Sequence, residues 1–189
     1  MEQDSPVLSP AESKTIYLSL GIILDENLVL VARNPLPERL RYSWPPVKAY
    51  LASNCSPPTN DCPDNVFSLD CTHFVAHALN KSGVFVKVPS ADCASGLCIR
   101  VNDLAAAFHN SVEEYLNVTQ IRSHQETREG DFCFIPSWFG LSKEHAMVLH
   151  SPATPRGARV YAHTNSRCGD YVSFEGQSCV YYRISAAAS

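Results

Sequence analysis

Between Asp70 and Gly83 the residues Cys71, Phe74, Val75, Ala78, Leu79 and Ser82 fall at i, i+3, i+4, i+7, i+8 and i+11. That spacing lines one face of a helix, so the segment must pack one side against a core. Gly83 stands where a C-terminal stop belongs. Asp70-Cys71-Thr72-His73-Phe74-Val75 is then the helix start, with Cys71 in its first turn. Unpaired N–H groups and the positive end of the helix dipole stabilise a thiolate there, which predicts a low pKa for Cys71. A thiolate so placed is the nucleophile of a cysteine hydrolase. The position suits a buried core cysteine equally well, since free cysteine is among the most buried residue types.

The 189 residues suffice for one domain with its own core. The formal net charge is −4 and no Lys/Arg cluster occurs, which argues against a nucleic-acid surface. The longest apolar run, Ile16 to Leu24, is about half of what a bilayer needs, so no membrane span is expected. Lys14 precedes it, but Glu2, Asp4 and Glu12 spoil a basic leader and no small-x-small site follows before Asp25. The run therefore reads as structure, and no signal peptide is seen. Ala186-Ala187-Ala188-Ser189 has the character of an appended tail.

Eight cysteines are many for a cytosolic enzyme. Cys55 and Cys62, Cys93 and Cys98, and Cys168 and Cys179 are near neighbours in loop-like stretches. Disulfides within each pair would fit an oxidising compartment, while a reduced state leaves all eight as thiols. No pair has the two-residue spacing of a zinc knuckle, so no metal is expected. Cys133 lies in Asp131-Phe132-Cys133-Phe134-Ile135 and reads as a buried strand residue.

Ser9-Pro10-Ala11-Glu12 matches a capping box, predicting a helix from Pro10 into Leu24, with a hairpin through Leu28 to Val31 as the alternative. Asn34 to Pro46 carries four prolines and should be irregular. A short helix over 47–52 and a longer one over 102–116 follow, with loops over 54–65 and 86–100. Strands are expected over 132–135, 146–150, 159–163 and 179–184. Helices followed by a meander of strands give an α+β fold, with the Cys71 helix packed on an antiparallel sheet. The division expected is an extension over 1–46, one domain over 47–185 and a tail over 186–189.

A cysteine nucleophile needs a base. His73 and His77 lie about 200° and 240° round the helix from Cys71, and read as solvated surface histidines. His109 and His124 have no supporting pattern. His145 opens the apolar run Ala146-Met147-Val148-Leu149, and His163 closes Val160-Tyr161-Ala162. The Pro- and Gly-containing connection between them suggests a hairpin. In the register that sets His145 opposite His163, the two share a face, as a base and its orienter would. A slip of one residue separates them.

Four segments together resemble the NlpC-type cell-wall cysteine peptidases and a related bacterial amidase domain of the papain-like superfamily. Leu69-Asp70-Cys71-Thr72-His73-Phe74-Val75 resembles the Asp-Cys-(Ser/Thr)-x-Phe-Val signature. Arg128-Glu129-Gly130-Asp131-Phe132 resembles the Gly-Asp strand opening. His145-Ala146-Met147-Val148-Leu149 resembles the strand of the catalytic histidine, and Tyr161-Ala162-His163-Thr164-Asn165 the site of the third residue. The family's Asn after Asp-Cys-Thr is His73 here, and its ordering Tyr has only Tyr42 and Tyr50 as candidates.

The resemblance implies a Cys-His-His amidase or endopeptidase without cofactor or metal. Cys71 would be the nucleophile, His145 the base and His163 the residue holding the imidazole. Asn165 is the second choice for that orienter, and Asp70 a further orienting or substrate-binding candidate. The substrate implied is peptidoglycan stem peptide, in wall remodelling, in lysis or as a toxin faced by an immunity protein or inhibitor. The setting implied is secreted, periplasmic or inside another cell. A same-fold hydrolase or acyltransferase acting on a protein substrate is one alternative. A non-catalytic binding module is the other.

Overall fold

The computed structural model describes residues 29–32, 39–56, 70–87, 100–135, 144–163 and 166–186. They form β1 (Val29–Ala32), α1 (Trp44–Asn54), α2 (Cys71–Lys81), β2 (Val84–Lys87), α3 (Val101–Glu114), β3 (Val118–Ile121), β4 (Phe132–Ile135), β5 (His145–Leu149), β6 (Gly157–Ala162), β7 (Arg167–Ser173) and β8 (Val180–Ile184). β1 and β2 pair antiparallel. The other six strands form one sheet in the order β3-β8-β4-β5-β6-β7, every neighbour antiparallel. The expected α+β organisation is observed. The expected helix over 10–24, Cys62, Cys93, Cys98, Asn165 and the tail beyond Ala186 lie outside the described residues.

Strand alternation divides the core in two. Phe132, Phe134, Ala146, Val148, Tyr161 and Tyr182 pack with the helices. Cys133, Ile135, Met147, Leu149, Val160, Ala162 and Tyr181 gather on the opposite face. Cys133 is fully buried in its strand, as its apolar neighbours predict.

The centre of the helical layer is α2. Every residue from Cys71 to Ala76 is buried, as are Ala78 and Leu79. α2 lies against α1, α3, β2 and β5, so it is enclosed on several sides rather than along one stripe. It stops where the Ser82 and Gly83 N–H groups bond back to the Leu79 and Asn80 carbonyls, with Gly83 at φ +83°. The core also reaches before Val47. Leu40 and Tyr42 are buried, and α1 opens at Trp44 with prolines in its first turn, where no N–H partner is required.

Two polar clamps hold the sheet and its flanking segments together. Asp131 is fully buried, and its carboxylate takes a two-pronged bond from Arg183 on β8, Nε and Nη2 each at 2.7 Å. The Arg128 N–H adds a third bond at 2.8 Å. The residue before it, Gly130, is at φ +88°, and a Cβ there would meet the Trp44 ring at 3.3 Å. Asn117 accepts from the Leu40 N–H and donates to the Leu40 and Ser185 carbonyls, so one buried amide joins the chain before α1 to the chain after β8.

The disulfide differs from expectation. Cys55 pairs with Cys168, 113 residues away, and Cys179 is a free thiol. Neither Cys55–Cys62 nor Cys168–Cys179 forms, because the end of α1 and the start of β7 bring Cys55 and Cys168 to a Cα separation of 5.4 Å. Among the described residues no helix is long and apolar enough to cross a membrane.

Two outcomes follow for stability. Asp131→Ala strips the charge partner from Arg183 and leaves the Arg128 amide without its acceptor. It should cost about 3 kcal/mol in urea unfolding, and a cost near zero would remove the clamp from the account. Closing a loop of this length should contribute roughly 4–5 kcal/mol, so reducing Cys55–Cys168 should lower the melting temperature markedly. The Cys55→Ala/Cys168→Ala protein should melt at the reduced value with or without reductant.

Candidate active site

Cys71 is the first residue of α2 and is 5% exposed. Its thiol lies 3.9 Å from Thr72 Oγ1 and within hydrogen-bond reach of the backbone at Ala146 on β5 and at Thr72. Burial pushes the thiol above its ordinary range; the Ala146 and Thr72 contacts oppose this, and the Asp70 charge adds to it. The low pKa expected from the helix start is therefore not found. Position in the first turn is correct, but the desolvation that comes with enclosure outweighs the amides there.

Asp70 precedes the helix without capping it. Its carboxylate instead accepts from Nδ1 of His163 at 2.6 Å, and His163 Nε2 donates to the Asn54 carbonyl at the end of α1. The His163 ring also stacks on Phe74, centroids 3.8 Å apart and planes 14° from parallel. Both ring nitrogens of His163 are engaged by these partners, so neither is left to hold a second imidazole. This links Asp70 and His163 directly, a pairing that sequence reasoning missed.

His145 opens β5, as expected, and pairs with Ile135. Val148 stands opposite Tyr161 and Leu149 opposite Val160, one residue away from the register expected. His163 falls level with Ala146, and His145 follows the alternation of Met147 and Leu149 on the face away from the helices. The slip arises in the connection. There Thr154 bridges Gly157 and takes up residues that a simple turn would have left to the strands. Burial lowers the His145 pKa, and the positive charge of Arg167 lowers it further. His145 and His163 thus do not face one another. No hydrogen bond joins Cys71 to His145, although the amide that touches the thiol belongs to the next residue.

Of the two histidines expected on the surface, His73 is buried and His77 is half-buried. His73 is 2% exposed and meets the His77 ring edge-on at 4.6 Å, and His77 stacks on Tyr50 at 6.0 Å. Enclosure of α2 is the reason for His73, while the helix keeps a partly exposed side at His77, Asn80 and Lys81. Tyr42 sits edge-on to Phe132, and Tyr50 lies against Phe74. Asn165 lies outside the described residues. Among the described residues no group of three or more His, Cys, Asp or Glu side chains is arranged to hold a metal ion. No family model, curated protein or solved structure matches the chain.

Alkylation of Cys71, followed by peptide mass mapping across pH, tests its environment. The rate should inflect above 9.0, the ordinary thiol value, because burial raises the pKa. An inflection below that value would mean that the helix amides dominate after all.

Proposed function

We propose that the chain is a cysteine hydrolase that cleaves amide bonds on a papain-like α+β scaffold. The observation that carries this reading is the seat of Cys71. Its thiol, at the start of a buried helix, touches the backbone of Ala146, the residue next to His145.

The directions of the two pKa shifts suit one mechanism. A thiol pushed up and an imidazole pushed down form a neutral pair, so His145 is a free base at neutral pH. In this reading the chain at the first position of β5 shifts so that the His145 ring reaches Sγ round the end of the strand. It takes the thiol proton as Cys71 attacks the carbonyl, then returns it to the leaving amine. The Cys71 N–H, at the helix start, donates to the oxyanion. His163 is a positioning residue here, since its bonds to Asp70 and Asn54 fix the helix start that carries the nucleophile. No metal or organic cofactor takes part.

The substrate proposed is peptidoglycan stem peptide, on the strength of the four motifs in order. The Cys55–Cys168 disulfide supports action outside a reducing cytosol: secreted, periplasmic or delivered to another cell, where an immunity protein or inhibitor would be the partner. A non-catalytic module is favoured by one observation, the engagement of both His163 nitrogens.

Digestion of purified sacculi and muropeptides, read by mass spectrometry, tests the reading. The wild type should release stem-peptide fragments, and Cys71→Ala and His145→Ala should each lose several orders of magnitude in turnover while keeping the wild-type circular dichroism. Cleavage that survives Cys71→Ala sinks the mechanism. A wild type that cleaves neither muropeptides nor protein substrates would leave the binding module. The acid limb of kcat/KM should lie below 6.5, the ordinary imidazole value, because burial and Arg167 both lower the His145 pKa. Activity then persists as pH falls through that value and is lost only lower.

A further inference from the structure

We infer that Cys133 and Cys179 are a second cysteine pair, closed to a disulfide through attack by Cys179 on an anionic low-molecular-weight disulfide bound in the cleft beside it. Cys133 on β4 pairs with Tyr181 on β8, and Cys179 lies two residues before Tyr181. The alternation puts Cys133, Cys179 and Tyr181 on the sheet face opposite the helices, where Cys179 packs against the cluster containing the other two. The two thiols are in hydrogen-bond contact, and both are free.

Their exposures differ in the way a two-step exchange requires. Cys133 is fully buried. Cys179 is partly exposed and lines a cleft of about 290 Å³ together with Arg122, His124, Thr154, Gln177 and Tyr181. Among the described residues no Asp or Glu lines this cleft, and the Arg122 guanidinium suits a carboxylate-bearing reagent. Hydrogen bonding from Cys133 lowers the Cys179 pKa against the opposing effect of burial, and Tyr181 lowers it further. Burial together with the neighbouring Cys179 raises that of Cys133. Of the two, Cys179 is thus the thiol that ionises more readily.

The chemistry balances without any further reagent. The Cys179 thiolate attacks one sulfur of the small disulfide, forming a mixed disulfide and releasing one small thiolate. Cys133, losing its proton to that thiolate, attacks the Cys179 sulfur and expels the second. Two protein thiols are oxidised, one small disulfide is reduced, and two small thiols leave.

The test uses the full chain with Cys55–Cys168 intact, incubated with oxidised glutathione, acid-quenched and mapped by peptide mass spectrometry. The wild type should end with Cys133 joined to Cys179 and no retained glutathione. Cys133→Ser, or Cys133→Ala should the serine destabilise the core, should hold glutathione on Cys179. Cys179→Ser should leave Cys133 unmodified, reacting at least ~10-fold more slowly than the wild type. Oxidised glutathione should outpace cationic cystamine, and Arg122→Gln should narrow that gap. The inference is overturned if Cys179 does not react, if wild type keeps glutathione on Cys179 with Cys133 free, or if Cys133 reacts undiminished in Cys179→Ser. Equal rates for the two reagents overturn the assignment of an anionic one.

Discussion

At the end of β6 the imidazole of His163 donates to the Asp70 carboxylate and to the Asn54 carbonyl while its face lies on Phe74. Those contacts join the end of α1, the start of α2 and the end of β6. The residue after Asn54 is Cys55, whose disulfide runs to β7, so a covalent link reinforces the same junction. Asp70 is spent on this bond rather than on capping α2, which leaves the first amides of the helix to their other neighbours. What a capping carboxylate loses in helix stability, of order 1 kcal/mol, is offset here by a buried charge-assisted bond. The position of Cys71 follows from this junction, because the residue immediately before it is pinned.

The enclosure that fixes Cys71 also sets its chemistry. An exposed helix start would offer amides and a dipole to a thiolate at little desolvation cost. Here the first six residues of α2 are buried, and desolvation decides the direction. In the proposed reading, Cys71 works by concerted proton removal rather than from a standing ion pair. The lowered pKa of His145 would then be an advantage in that reading, since a base must be unprotonated before it can accept. In the proposed reading the cost is a movement of His145, whose strand position sets it on the other face.

Much of the architecture was legible because it follows from periodicity. The 3.6-residue spacing over 71–81 and the apolar runs of β4, β5 and β8 located those elements within a residue or two. β7 was not legible: Arg167 to Ser173 is polar and largely exposed, an edge strand whose pairing with β6 leaves no apolar alternation. β3 is four residues long and follows α3 closely, too short for a pattern to declare itself. At the site, Cys71 at a helix start and His145 at a strand start were both readable. The His145–His163 register was not, because one residue taken up by the Thr154–Gly157 turn reverses every face beyond it. His73 was misplaced for another reason. A helical wheel finds the more apolar side but cannot show that the other side is covered too. The Cys55–Cys168 link was beyond reach, since proximity in sequence is no guide to a bond across 113 residues.

The sheet separates two thiol environments that oxidising surroundings would treat differently. On the helical face Cys71 is buried and its pKa raised, and both properties slow its reaction with small disulfides. On the opposite face Cys179 is partly exposed with its pKa lowered, and both properties favour that reaction. An oxidant reaching the molecule therefore meets Cys179 first, and the contact with Cys133 gives the product an intramolecular exit. In the proposed reading, a hydrolase whose fold carries a structural disulfide can keep its nucleophile reduced in the same compartment. The protection is kinetic, resting on access and thiolate fraction rather than on reduction potential. It would be lost with any change that opened the start of α2, which returns the burden to the junction at His163.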